Sequence, residues 1–285
     1  MLFKRWISQV VSGFAVLVAT LNVATAADAQ SLALAPGEVR ATFQGGQPIR
    51  FDVTVSNEGT TPAVMRSTVM DLWYNEKGEK VFGVPGSQPR SASDWIEFVP
   101  RDFTVAPQSS GKVNVVVTPP VDASGGYYAV LFVESKPELA QAATPESRAV
   151  FASMRLGVLV LLSAAGSETY GIEVGEPQFT PPTASQDLTL QLPLINKSNT
   201  HIFPQAKLAI LDKRGRRLVA RTEGEAKRFF PDQTDNLAVN WGGSLPPGDY
   251  LAIVTVVYGR DKVYTRELPF TMTGTGGSRG GPQDQ

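Results

Sequence analysis

The sequence predicts an all-β protein made of two tandem β-sandwich domains behind an export signal. Three observations carry this: apolar and polar residues alternate strictly, 26 Gly and 21 Pro punctuate the chain, and the two halves repeat one another. A chain of 285 residues is long for one domain and short for three.

Alternation begins at Ile49, Phe51, Val53 and Val55, with Arg50, Asp52, Thr54 and Ser56 on the other face. Period two is the signature of a half-buried antiparallel strand. The same pattern recurs at Val113, Val115 and Val117 and at Leu188, Leu190, Leu192 and Leu194, and no long amphipathic helix interrupts it.

The repeat is read by matching segments. Val55-Ser56-Asn57-Glu58-Gly59 precedes an apolar strand through Val69 to Tyr74 and the turn Asn75 to Val81. Leu194-Ile195-Asn196-Lys197-Ser198 precedes a strand through Leu208 to Leu211 and the turn Asp212 to Leu218. Gly78 and Gly215 are expected to supply the positive φ that each hairpin turn needs. Later, Gly125-Gly126-Tyr127-Tyr128 leads into the apolar run Ala129 to Val133, and Pro246-Pro247-Gly248-Asp249-Tyr250 into Leu251 to Val257. A Tyr at a strand start after such a turn can return its hydroxyl to the backbone, the tyrosine corner of immunoglobulin-like sandwiches. The expected fold is therefore two tandem immunoglobulin-like β-sandwich domains, at 31–166 and 169–273, with a Gly-rich polar tail at 274–285.

Residues 1–26 read as a secretory signal peptide: Lys4 and Arg5, an apolar stretch from Trp6 to Leu21, then Ala24-Thr25-Ala26. Export to the periplasm or the cell surface of a bacterial envelope is the expected localisation. The chain has no cysteine, so packing alone must stabilise it. A net charge of −1 gives no footprint for nucleic acid.

Little in the sequence suggests chemistry. His201 is the sole histidine, and there is no Gly-x-Ser-x-Gly elbow or phosphate-cradling loop. His201 is expected at a surface or interface, and the pairs Asp94/Glu97 and Asp232/Asp235 are expected to solvate and cap loops. No catalytic residue, metal ligand or cofactor is assigned. The run Lys213, Arg214, Arg216, Arg217 and Arg221, with Lys227 and Arg228 beyond it, reads as a solvated hairpin able to meet an anionic polymer or lipid headgroups. Asn196-Lys197-Ser198 matches a glycosylation sequon.

Val150 to Leu162 stands apart. Val150, Ala152, Met154, Leu156, Val158, Val160 and Leu162 form one apolar row, and a single strand of this length would run about 40 Å. An apolar edge that long calls for a partner, which makes it a candidate for strand addition.

On these residues the first half resembles the amino-terminal domain of periplasmic pilus-assembly chaperones. Val39-Arg40-Ala41-Thr42-Phe43 and Phe51-Asp52-Val53-Thr54-Val55-Ser56-Asn57 are similar to that family's opening Arg and Asn-ended strand. Phe98-Val99-Pro100-Arg101-Asp102-Phe103-Thr104-Val105-Ala106-Pro107 resembles its Pro-x-x-Phe-x-Leu-x-Pro segment, and the 150–162 strand takes the place of its donor strand.

The resemblance implies a non-enzymatic chaperone that binds a polypeptide client or envelope protein by strand addition. Arg40 and Arg155 would stand for the family's cleft Arg and Lys, which anchor the client's terminal carboxylate. Gly125-Gly126-Tyr127-Tyr128 departs from the family pattern, as does the missing aromatic-Arg-Pro exit. Those features, with Asn-x-Ser-x-Thr-His-Ile at 196–202 and Pro-Gly-x-Tyr at 247–250, are more similar to secreted immunoglobulin-like proteins, including cell-surface ones that bind peptidoglycan or WxL-type partners. The alternative function is thus a structural adhesion or cell-wall-binding module, with a cell-wall polymer as partner.

Overall fold

The computed structural model describes residues 31–75, 78–136, 138–139, 151–183 and 185–273. The segment 1–26 read as a signal peptide, the segment 274–285 read as a tail and Val150 lie outside them, as does the side chain of Ala152. The fold is all-β, as the alternation predicts, with one 3₁₀ turn at Ser93–Trp95 and no α-helix among the described residues.

The first sandwich comprises β1 (Leu32–Ala35), β2 (Glu38–Phe43), β3 (Ile49–Asn57), β4 (Ala63–Tyr74), β5 (Lys80–Gly83), β6 (Ile96–Val99), β7 (Asp102–Val105), β8 (Ser109–Val117), β9 (Gly126–Ser135), β10 (Glu138–Leu139), β11 (Phe151–Ala152) and β12 (Arg155–Ala164). One sheet is ordered β1-β3-β8-β6; the other is ordered β2-β12-β9-β4-β5, with β7 also on β4. Between them Val53, Val113, Val117, Leu131, Val158, Val160 and Leu162 are fully buried. The chain changes sheets at Pro36, between β1, antiparallel to β3, and β2, parallel to β12. A proline has no N–H for the β3 ladder, so pairing ends at Ala35.

The second sandwich comprises β13 (Ile172–Val174), β14 (Gln178–Thr180), β15 (Leu188–Asn196), β16 (Gln205–Asp212), β17 (Arg217–Glu223), β18 (Thr234–Trp241), β19 (Gly248–Val257) and β20 (Val263–Met272). β15 pairs with β13, β14 and β18 in one sheet, and the other runs β17-β16-β19-β20. The leucine row Leu188, Leu190, Leu192 and Leu194 is wholly buried against Leu208, Ile210, Ala252 and Val254.

Two details differ from the sequence reading. The tyrosine corner forms once: Tyr250 Oη donates to Pro246 O at 2.8 Å, while Tyr128 turns its buried ring toward the second sandwich. Gly78 has the expected positive φ of 74°, but in the second turn the left-handed residue is Arg216, at 46°, and not Gly215.

The sandwiches meet along the outer face of the sheet containing β12. Phe230 packs on Tyr128 (centroids 4.5 Å apart) and Tyr74 (5.3 Å), closing a cluster with Val130, Leu72 and Leu161. Gly126 N donates to Asn199 O at 2.9 Å, Gly125 N to Ser167 Oγ at 2.9 Å, and Ser163 Oγ bonds Thr200 Oγ1 at 2.8 Å. A Cβ on Gly125 would stand 2.5 Å from Asn199 O, and one on Gly126 would strike Tyr128 Oη. The two motifs that set the sequence apart, Gly-Gly-Tyr-Tyr and Asn-x-Ser-x-Thr-His-Ile, are therefore halves of one contact.

Candidate functional site

The predicted 150–162 strand is broken. Phe151–Ala152 pairs with Glu138–Leu139, and β12 proper starts at Arg155 and runs on to Ala164. The break follows from β9: Ser135 N donates to Met154 O at 2.8 Å, but Ser135 Oγ takes the Met154 N–H, and Lys136 N turns away to Val64 O.

β12 is apolar on both faces because both are covered. Val158, Val160 and Leu162 point into the first core, and Leu161, on the other face, is buried beneath the second sandwich. Val158 and Val160, assigned from sequence to a client-facing row, are 0 % exposed, which corrects that assignment. Met154 and Leu156 are half-buried.

The edge of β12 is closed over half its length. Even-numbered residues bond to β9, as Met154 and Ala164 show, so odd-numbered residues direct their N–H and C=O the other way. Leu159 N donates there to Gly37 O at 3.1 Å, and β2 pairs from Leu159 to Ala164. Ahead of Leu159, Arg155 and Gly157 present the same groups where, among the described residues, no strand pairs with them.

Arg155 flanks this open stretch. Its guanidinium lies 3.8 Å from the centroid of the Phe132 ring, with Glu134 Oε2 at 3.8 Å and Met70 Sδ at 2.9 Å. Gly157 makes room for that ring, since a Cβ there would be 3.0 Å from Phe132 Cε1. Phe82 stands edge-on to Phe132, 5.0 Å between centroids, and is 38 % exposed.

Arg40 lies elsewhere. It is in register with Leu161, six residues beyond Arg155 and so about 20 Å along the strand. Its guanidinium lies 4.0 Å from the Phe203 centroid and pairs with Glu38, which also holds Arg228. Arg40 belongs to the contact between sandwiches and Arg155 to the open edge. The expectation that they grip one carboxylate together is corrected by this separation.

His201 sits in the same contact, between Tyr128 and Phe203, each 5.7 Å away by ring centroids. Burial, then the nearby Arg40 and Arg228, push its pKa down to about 4 against an opposing pull from Glu38. The ring is a neutral packing element. Asp94 and Glu97 are exposed, while Asp232 and Asp235 pair separately with Lys197 (3.8 Å) and Lys227 (2.6 Å). Asn196 is wholly buried, so the sequon is not presented in the folded chain. Among the described residues no three potential ligands are grouped to hold a metal ion.

Sequence reasoning missed Asp71, a fully buried carboxylate. It accepts from Ser91 Oγ at 2.5 Å, Gln88 N at 2.9 Å and Ser87 Oγ at 3.1 Å. Burial raises its pKa, but the hydrogen bonds led by Ser91 outweigh it and hold the group below the usual carboxylate range. Asp71 thereby fixes the loop whose Arg90 and Ala92 bond the Tyr128 backbone, both at 2.9 Å. An acid inside an apolar strand, Val69-Met70-Asp71-Leu72, was the available signal.

No family model matches the sequence, and no curated protein matches it. Solved structures of similar fold include the class 5 fimbriae chaperone CfaA, at 9 % identity and TM-score 0.46, over 83 % of this chain and 98 % of that one. The E. coli chaperone DraB is similar at 17 % identity and TM-score 0.41, over 84 % and 97 % of the two chains. The Salmonella enterica SafA pilin in complex with the SafB chaperone matches at 13 % identity and TM-score 0.40, over 87 % and 99 %.

Proposed function

We propose that this protein is a non-enzymatic, chaperone-like binder of the bacterial envelope that captures a client polypeptide by β-strand addition at the open edge of β12. The observation that carries the reading is the N–H and C=O of Arg155 and Gly157, which no strand pairs among the described residues, on a strand whose opposite side is fully laddered to β9. Exposed strand edges recruit strands, and alternate side-chain positions then read the incoming segment. Met154 and Leu156 offer a half-buried apolar contact beside the edge, and the Arg155–Phe132–Phe82 platform offers a second on the opposite face.

The test acts on the backbone. Arg155→Pro removes an N–H that faces the edge and leaves the β9 ladder intact, while Arg155→Ala removes only the side chain. In complexes isolated from the producing cell, the Pro variant is expected to lose client at least about tenfold relative to the Ala variant, the equivalent of one or two hydrogen bonds. Hydrogen exchange at the Gly157 amide should slow on client binding. Equal capture by the two variants, or an unchanged Gly157 amide, rejects strand addition here.

A further inference from the structure

The outer face of the sheet β17-β16-β19-β20 carries a row of apolar residues directly opposite one another: Leu218, Leu211, Leu251 and Pro269. Even-numbered positions of β16 and β19 fill the core, so these odd-numbered ones face outward, and Leu218 is 50 % exposed. Ile253 lies in the next row, between Ala209 and Glu267. Covering such a row is favourable, and the first sandwich packs elsewhere.

The β16–β17 hairpin projects at the end of this row. Lys213, Arg214, Arg216 and Arg217 are all exposed, and none of them or Arg221 makes an ion pair among the described residues. The nearby acids are differently placed: Glu223 pairs with Lys207 at 3.7 Å, Asp212 Oδ1 accepts from Arg214 N at 3.0 Å, and Asp249 Oδ1 accepts from Thr271 Oγ1 at 2.8 Å. Asp212 and Asp249 keep their charge on accepting from these neutral donors, so the four exposed hairpin cations leave the rim net positive beside an apolar row that, among the described residues, is partly exposed.

From this juxtaposition we infer that the outer face of the second sandwich docks on an anionic lipid surface, with the hairpin cations among the headgroups and Leu218 at the acyl boundary. A second copy of the chain would bring like charges together on an isologous contact. A soluble polyanion would use the cations and leave the leucines in water. A headgroup layer takes both, because long cationic side chains keep their charge among phosphates while the apolar row leaves water.

The experiment is co-sedimentation of the full chain with phosphatidylcholine vesicles, with and without about one third phosphatidylglycerol. Every variant keeps the same amino-terminal segment, so its contribution cancels. On the anionic vesicles, Lys213→Gln/Arg214→Gln/Arg216→Gln/Arg217→Gln is expected to weaken partitioning by about a hundredfold or more, and Leu218→Ser several-fold. Neither variant should change the weak partitioning onto neutral vesicles, and unaltered melting temperatures show that both fold. Partitioning of the quadruple variant equal to that of the native chain overturns the inference. So does a loss confined to the quadruple variant with Leu218→Ser unaffected, which indicates a polyanion site. Self-association abolished by Leu218→Ser without vesicle binding also overturns it, in favour of a second copy.

Discussion

Asn57 and Asn196 make matching sets of three hydrogen bonds, the two local ones at the same sequence offsets and the third to a distant carbonyl. Asn57 Nδ2 donates to Thr61 O (2.7 Å) and Val105 O (3.1 Å), and its Oδ1 accepts from Gly59 N (3.0 Å). Asn196 Nδ2 donates to Thr200 O (2.9 Å) and Phe229 O (3.1 Å), and its Oδ1 accepts from Ser198 N (2.9 Å). Each ends the central strand of its sheet and ties the following loop to a distant segment. The internal repeat is thus a repeat of hydrogen-bond geometry. Replacing either residue with Ala strands two buried carbonyls and one N–H, which costs about 2–4 kcal/mol. Asn57→Ala and Asn196→Ala are expected to lower stability to denaturant by similar amounts, and a loss below about 0.5 kcal/mol in either would show that water replaces the side chain.

Gly126 sits at a tight point of the contact between sandwiches. A Cβ there strikes Tyr128 Oη and comes 2.8 Å from Thr200 Oγ1, whereas one on Gly37 meets nothing within 4 Å. Gly126→Ala is expected to destabilise by about 1–3 kcal/mol through overpacking. Solution scattering should then show a more extended particle, with Gly37→Ala as the neutral control. An unchanged scattering profile together with an unchanged melting temperature would show that the contact has slack.

The hairpin turn at Asp212–Arg217 offers a stabilising change. Arg216 takes the left-handed conformation, unfavourable for a residue with a Cβ by about 1–2 kcal/mol, and glycine's greater unfolded-state entropy returns part of that. Arg216→Gly should therefore raise stability by about 0.5–1 kcal/mol. Gly215→Ala should be harmless, since its φ is not positive and the nearest atom to an added Cβ is Asp212 Oδ2 at 3.9 Å. Thermal melts of the two variants in the opposite order would reject this reading of the turn.

Much of the fold was legible because it is local. The rows at Val113–Val117 and Leu188–Leu194 are buried as their alternation requires, and the matched Asn57 and Asn196 lay in plain view. The candidate site was less legible because distant residues decide it. Nothing within 150–162 reveals that a Ser135 hydroxyl breaks the strand at Met154, or that Phe203 and Phe230 cover Leu161 from the far half of the chain. Arg40 and Arg155 resemble a matched pair in sequence, but the parallel register of β2 on β12 separates them. Gly215 looked like the turn glycine because type and position match Gly78, yet Asp212 pairs directly with Arg217, so the second loop is one residue shorter than the loop between Tyr74 and Lys80 and its left-handed residue is the last one, Arg216.

His201 makes the contact between sandwiches sensitive to acid. Its pKa falls from 6.5 to about 4 in the folded chain, chiefly through burial and then through Arg40 and Arg228, with Glu38 opposing. A base with a depressed folded-state pKa is neutral when folded, so the unfolded chain binds the extra proton. Stability is therefore complete above about pH 6.5 and declines as pH drops toward 4, by up to about 2 kcal/mol between pH 7 and 5. His201 is the only histidine, and few carboxylates titrate in the upper part of that window. Its Nδ1 is buried without a hydrogen-bond partner, so a phenyl ring should be accepted in its place. His201→Phe is expected to melt at least as high as the native chain at pH 7 and to flatten the pH 7-to-5 slope of denaturant stability. A slope that survives the substitution would show that the acid sensitivity belongs to other groups and leave His201 a purely steric member of the contact; Asp71, held below the usual carboxylate range, stays ionised across this window.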